Sequence, residues 1–429
     1  MGAPLVPRLP AEIQDEIIDC LSGQKGVLKQ CATTSRRWAA RAQKHLFKNI
    51  IIEDATRSAH LKTMLEEHPR LAVFVRELSL NRVSRTFPAE DQSRWIELLP
   101  KLDHLVTLTV GVVPVLFSAK TGNEPPHLLP HLQVLRLLGV REFADAGHFL
   151  RLLAALPSLA ELYLPEAVEL STTLHSAIED MDVRPAGVSH LHTLTIHAGS
   201  SDIIKCLLFY LPLQTSLRRL QLHYDERIPA LDCTDLLQEV ALVVEELVLR
   251  APHHWPLVTI LGSPVPFERL RYLHLKDVGL EVRKLDTGKA QWMSAALTRV
   301  SSWERCSQLG KIILSLPRPG SQSSYYDFNP DTGGLRFGMP SERLDPVDPF
   351  PFSWKPLETT MTKLAKKCDK ITFTLNVRGK RQWWSSSTDA CESQTFRHLW
   401  RARHDYKCTI NIDTSWSPFP AFGGELVEY

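Results

Sequence analysis

From residue 70 onward one short phrase keeps returning, and it limits the folds open to this chain more than any other feature. Leu78-Ser79-Leu80, Leu108-Thr109-Val110, Leu135-Arg136-Leu137, Leu162-Tyr163-Leu164, Leu194-Thr195-Ile196, Leu220-Gln221-Leu222, Leu247-Val248-Leu249 and Leu273-His274-Leu275 recur every 26–32 residues. Each follows an aliphatic residue three positions earlier: Val75, Leu105, Leu132, Leu159, Leu191, Leu217, Val244 and Leu270. Alternation of apolar and other residues marks a strand with one buried face. Self-similarity at this period means a solenoid, in which a unit that cannot bury its own apolar side covers it with the next unit.

Between the phrases lie stretches with helical spacing, such as Phe149, Leu152, Leu153 and Leu156, or Ile203, Ile204, Leu207, Leu208 and Leu211. Several end in Leu-Pro, at Leu99-Pro100, Leu129-Pro130, Leu156-Pro157 and Leu211-Pro212, where proline stops a helix and hands over to extended chain. Helix, stop and strand in rotation predict right-handed crossovers and one curved parallel sheet. The phrase and its period resemble leucine-rich repeats. That pattern normally carries Asn or Cys three residues after the last strand leucine, and here the slot holds Val83, Val140, Ala167 or Asp225. The resemblance therefore implies an irregular array. An ordinary open α/β domain with the same alternation stays open as an alternative. After the eighth phrase the period breaks, although 309–314, 370–375 and 407–412 still read as strands, with helices near 357–367 and 393–403. Residues 317–356 carry eight prolines with clusters of Ser, Gly and Asp, which marks a long loop or insertion.

The first fifty residues follow a different period. Leu9-Pro10 opens a helix, with proline at the first helical position, where it costs no hydrogen bond. Ile13, Ile17 and Leu21 recur every four residues before Gly23 ends the helix. A second helix from about Val27 places Cys31 and Trp38 seven residues apart on one stripe, with Leu28 and Ala32 beside them, and a third stripe runs through Trp38, Ala42 and Leu46. Two or three short helices in roughly 45 residues are close to the size below which a lone core is usually insufficient, so the segment should lean on something else. Physically it is a docking module.

Leu9, Pro10, Glu12, Ile13, Ile17, Ile18, Leu21, Leu28, Cys31, Ser35, Trp38, Leu46 and Phe47 together resemble the F-box, in the form it takes in fungal proteins. The resemblance covers about a tenth of the chain, Leu9 to Ile50. One departure is Ala32-Thr33-Thr34, in a stretch that is more often apolar. What the family implies is binding of the Skp adaptor and, through it, the cullin ligase core. The adaptor-binding residues implied are Leu9, Pro10, Ile13, Ile17, Leu21, Leu28, Cys31, Trp38 and Leu46. An ordinary helical cap on the following repeats is the competing reading.

Composition removes other classes. Fifty basic and 48 acidic side chains leave a net charge of +2, so no global field gathers nucleic acid. Eight cysteines without a C-x-x-C pair fit neither a zinc site nor a dense disulfide framework, and they read as reduced, mostly packed thiols. The start of the chain is too short and too proline-broken for a signal peptide, and no apolar run approaches a membrane span of about 20 residues. A cytoplasmic or nuclear protein is expected. The usual nucleotide, zinc-protease and serine-hydrolase strings are absent, and His127 and His131 stand among prolines that forbid a shared helical face. No cofactor, metal or catalytic residue is assigned. Basic and tryptophan residues interleave between Arg378 and Lys407, which reads as packed rings under wet charges rather than a nucleic-acid surface.

The fold class expected is α/β: a helical F-box over 1–52, a leucine-rich-repeat-like array over 53–316, a Pro-rich insertion over 317–356, and terminal repeats with a tail over 357–429. Side chains alternating with the core leucines face away from the core and form a candidate target strip: Thr107, Arg136, Tyr163, Thr195, Arg219, Gln221, Tyr272 and His274. Its Arg and Tyr content is typical of binding hot spots. The function expected is a non-enzymatic substrate adaptor of an SCF-type ubiquitin ligase that holds an unidentified target protein. A repeat scaffold without a ligase role, and a hydrolase or transferase in the C-terminal third, are the alternatives.

Overall fold

The computed structural model describes residues 9–80, 98–111, 129–138, 142–143, 146–164, 169–170, 190–197, 201–223, 230–251, 267–277, 297–302, 308–316, 326–328, 335–337, 354–368, 371–378 and 408–413. The chain divides into two compact units, Met1–Ser216 and Leu217–Tyr429, so the boundary falls inside the expected 53–316 array.

The first unit opens with three helices, α1 (Ala11–Cys20), α2 (Lys25–Thr34) and α3 (Arg36–Lys48). Pro10 is not the first helical residue. Its ψ of 151° is extended, and it caps α1 from outside while its carbonyl accepts from the Gln14 N–H at 3.1 Å. Ser35 separates α2 from α3, because its extended backbone turns the chain and its hydroxyl accepts from the Trp38 N–H at 3.2 Å. That bond satisfies one of the donors a helix start leaves open. The helix α3 runs straight into β1 (Asn49–Ile51), a strand the apolar phrase does not mark. Helix α4 (Ala55–Glu67) follows, capped by the Asp54 carboxylate on the Arg57 N–H.

Six parallel strands make the sheet of this unit: β1, β2 (Glu77–Leu80), β3 (Thr107–Val110), β4 (Val134–Leu137), β6 (Glu161–Leu164) and β8 (Thr193–His197). Two-residue strands β5 (Glu142–Phe143) and β7 (Glu169–Leu170) pair separately, also in parallel. In the register Leu78, Leu108, Leu135, Leu162 and Leu194 stand side by side, and all five are buried. At about 1.5–3 kcal/mol for each fully buried leucine, this ladder is a main source of cohesion. The helices Ala146–Ala154 and Ser201–Tyr210 add Phe149, Leu152, Leu153, Ile203, Ile204 and Leu207 to the core, as their spacing predicts.

A backbone device repeats along the strand starts. The Arg76 carbonyl accepts from the N–H groups of Val106 and Thr107, at 2.8 and 2.9 Å. Val106 does the same for Gln133 and Val134, Gln133 for Ala160 and Glu161, and Ala160 for His192 and Thr193. One carbonyl thus receives two donors of the next strand, which fixes the register before any side chain acts. Just upstream, tight turns close from Leu102 to Leu105, Leu129 to Leu132 and Leu156 to Leu159. Leu129-Pro130 and Leu156-Pro157 belong to these turns, whereas Leu99-Pro100 begins a short 3-10 turn and Leu211-Pro212 leads into one further turn of helix, Leu213–Ser216.

The second unit repeats the device, with Arg218, Glu245 and Arg271 as the accepting carbonyls. Its strands are β9 (Arg219–His223), β10 (Glu246–Ala251), β11 (Tyr272–Asp277), β12 (Lys311–Leu316), β15 (Thr372–Arg378) and β16 (Cys408–Asp413), all parallel. Helices Ala230–Val240 and Trp354–Lys367 lie between strands in the chain. The expected Pro-rich loop contains regular structure, since β13 (Tyr326–Phe328) and β14 (Leu335–Phe337) form an antiparallel pair. The helix expected near 393–403, and most of the basic and tryptophan-rich stretch, lie outside the described residues.

Candidate functional site

The three N-terminal helices divide their apolar side chains between two tasks. Ile18, Leu28, Cys31 and Ala42 are buried against one another, with Leu21, Ala32, Trp38 and Leu46 partly buried around them. Ile18 and Leu28 retain 1% and 0% of their surface. Leu9, Ile13 and Ile17 stay 54%, 41% and 42% exposed, and Val27 of α2 stays 36% exposed. Exposed single leucines are ordinary. Here three large aliphatic residues follow one another at four-residue intervals along and just ahead of α1, which makes a ridge rather than a scatter.

The expected adaptor-binding residues therefore separate. Leu9, Pro10, Ile13 and Ile17 are at the surface, whereas Leu28 and Cys31 are inside the module's own core and Leu21, Trp38 and Leu46 are half-buried around it. The inner group shapes the module and so presents the outer group. Val27 belongs with the outer group although the sequence pattern did not single it out. All these residue types are apolar, so composition could not sort them; the crossing of the helices does.

Polar contacts clamp α1 onto α3. Asp19 accepts from Arg41 Nε at 2.7 Å and from Arg41 Nη2, and it also meets His45 Nε2 at 2.7 Å. The Arg41 and His45 hydrogen bonds hold the Asp19 carboxyl well below the usual carboxylate range. Trp38 Nε1 donates to Gln14 Oε1 at 2.9 Å, and Gln14 Nε2 donates to the Leu9 carbonyl at 2.6 Å. Gln14 thus links the start of the ridge to α3. Residues 22 to 26 positions apart in the chain make the clamp, a separation that leaves no short-range sequence signal.

The expected target strip lies opposite the leucine ladders, in two separate sets. In the first unit Thr109, Arg136, Tyr163 and Thr195 are register partners, and the Arg136 guanidinium stands 5.1 Å from the Tyr163 ring centroid. The Tyr163 hydroxyl donates to Glu161 Oε2 at 2.8 Å. Thr107 is half-buried in the neighbouring row, but Thr195 is buried, so it offers little surface. In the second unit Arg219, Glu246, Tyr272 and Lys311 form one row and Gln221, Val248, His274 and Ile313 the next. Arg219 pairs with Glu246 at 3.4 Å, and Lys311 Nζ lies 5.8 Å from the Tyr272 ring centroid. Burial, followed by the charges of Lys276 and Arg219, lowers His274 to about 4. Burial and then Glu246 raise the Tyr272 phenol. The charged residues missed beside the strip are Glu161, Glu246 and Lys311, each one position before a core residue of its strand.

Chemistry-bearing groups are sparse elsewhere. Among the described residues no group of three or more His, Cys, Asp or Glu could hold a metal ion, and no helix is long and apolar enough to cross a membrane. Cys31, Cys206, Cys233 and Cys368 are buried thiols, and burial raises Cys206 to about 12, while Cys20 is exposed. Set against models of known protein families the chain matches none, and no curated protein matches it.

Proposed function

We propose that this chain is the substrate-recognition subunit of an SCF-type ubiquitin ligase, in which the N-terminal helices are an F-box held by the Skp adaptor and the strands form a leucine-rich-repeat-like array that holds a target protein. The observation that carries the reading is the exposed ridge of Leu9, Ile13 and Ile17 on a module whose remaining apolar residues supply its core. Burying such a ridge against a partner contributes roughly 25 cal/mol per Å² of apolar surface removed from water, so the ridge is worth most when covered by another protein. The ladders of leucine and the repeated two-donor carbonyls support the repeat reading. On this account the chain performs no chemistry. It holds a target beside the ubiquitin carrier and raises its effective concentration there.

The test is direct binding of the purified full-length chain to a purified Skp adaptor. Ile13→Asp with Ile17→Asp should abolish binding while circular dichroism stays unchanged, because both side chains are exposed and lie outside the module's buried cluster. Equal binding by the variant and the native chain would refute the reading. One observation favours a second reading, that the helices cap the strands: α3 continues directly into β1, and the Arg76 N–H donates to the Lys48 carbonyl at 3.0 Å. Under a pure capping role, deletion of residues 1–50 would destabilise the rest, and the aspartate substitutions would change no association.

A further inference from the structure

From Cys20 to Ile52 the chain contains no acidic residue, yet it carries Lys25, Lys29, Arg36, Arg37, Arg41, Lys44 and Lys48. In a protein whose total charge is +2 this is a local excess. On α3 the distribution is one-sided. At 3.6 residues per turn, Arg36, Arg37, Arg41, Lys44 and Lys48 fall within roughly 140° of arc, away from the buried side held by Ala42 and its neighbours Trp38 and Leu46. Arg41, at the edge of this stripe, is bound by Asp19 of α1. The other four are exposed, and none of them makes an ion pair among the described residues. Arg37 with Arg41 and Lys44 with Lys48 are four residues apart, a spacing at which like charges repel and destabilise a helix. The stripe thus works against the helix that bears it.

We infer that the basic stripe of α3 is a second contact of the docking module, one that takes an acidic surface of the same protein partner that covers the α1 ridge. The inference rests on the adaptor reading above and specifies the charge of the partner. Arg41 belongs both to the stripe and to the junction of α1 with α3, so the stripe borders the helix that carries the ridge. The charges of α1 decide between kinds of partner. Glu12 and Glu16 are exposed on the same helix as Ile13 and Ile17, so a polyphosphate or an anionic bilayer laid over the module meets carboxylates as well as cations. The module also offers no fully exposed aromatic ring for stacking bases, because Trp38 and Phe47 are both half-buried. A protein surface that is apolar at its centre and carboxylate-rich at one side fits all three features.

Complementary charge acts mainly on the rate of encounter and is screened by salt over about a nanometre. The experiment measures association of the full-length chain with a purified Skp adaptor at increasing salt, for the native chain, for Arg37→Glu with Lys44→Glu, and for Ile13→Asp with Ile17→Asp. The expected result is a native rate that falls steeply with salt, and a charge-reversed variant about tenfold slower at low salt with a flattened salt dependence. The apolar variant should lose binding at every salt concentration. Native association with unchanged rate and slope in the charge-reversed variant would overturn the acidic contact and leave the adaptor reading standing. Failure of the native chain to bind at any salt would remove both. Phosphatidylserine vesicles and a single-stranded RNA oligonucleotide serve as competing probes, and charge-dependent retention of the chain on either one, with no charge effect on the adaptor, would also overturn the proposal.

Discussion

The helices at the N-terminus and the strands that follow them use leucine and isoleucine in opposite ways. In the strands of the first unit Leu78, Leu108, Leu135, Leu162 and Leu194 are buried in one continuous row. In the helices Ile18 is buried while Ile13 and Ile17, on the same helix, are exposed. A repeating unit gains a new apolar neighbour with every repeat, so its core grows with length. Three short helices have no such supply, and their apolar surplus remains outside. The difference separates the part of the chain that covers its apolar side chains from the part that leaves some of them exposed.

That contrast can be broken by substitution, and the largest effect belongs to the ladder. Leu135→Ala should destabilise the first unit by about 2–5 kcal/mol, because it opens a cavity between Leu108 and Leu162. Denaturant titration followed by circular dichroism reads this loss, and a shift below about 1 kcal/mol would show that the ladder is not a tight core. Ser35→Ala should cost about 1 kcal/mol by removing the cap of α3, and amide hydrogen exchange should show faster exchange at the start of that helix. Loss of protection along β3 instead would mean that the helices and the strands are one cooperative structure.

Acid sharpens the comparison further. The Asp19 carboxyl titrates below its ordinary value of 3.8 because Arg41 and His45 hold it ionised. Its stabilising contribution is therefore complete above that ordinary value and is lost as pH falls below it towards the folded-state value. The hydrogen-exchange protection of α1, taken relative to the intrinsic rate at each pH, should fall on acidification below about pH 4 in the native chain, and Asp19→Asn should show lower protection already at neutral pH with a flatter acid response. Equal pH profiles in both proteins would contradict a clamp at Asp19. The smallest effect is expected of Ile17→Ala, which should change unfolding free energy by less than about 0.5 kcal/mol, as is usual at an exposed position.

Much of this architecture was legible from residue spacing. The Leu-x-Leu phrases mark β2, β3, β4, β6, β8, β9, β10 and β11, since a strand with one buried face must alternate. The strand β1 escaped notice because Asn49-Ile50-Ile51 is short and continues an amphipathic helix without a turn residue. The carbonyls that accept two donors were also hidden, because they are main-chain groups and Arg76, Val106, Gln133 and Ala160 share no side-chain chemistry. In the N-terminal helices the apolar positions were visible, but their inward or outward direction was not. Ile17 and Ile18 are neighbours of one residue type, and the packing of α1 against α2 and α3 turns one out and the other in. Within the proline-rich insertion the short antiparallel β13–β14 pair carried no sequence signal of its own.

The central claim is that the α1 ridge is a surface for another protein. Amide hydrogen exchange of the full-length chain, measured with and without a saturating purified Skp adaptor, addresses it most directly. The account predicts that the adaptor slows exchange across Ala11–Cys20, where the ridge lies, and leaves β9 to β11 unchanged. Unchanged exchange across α1, or protection confined to the strands, would contradict it.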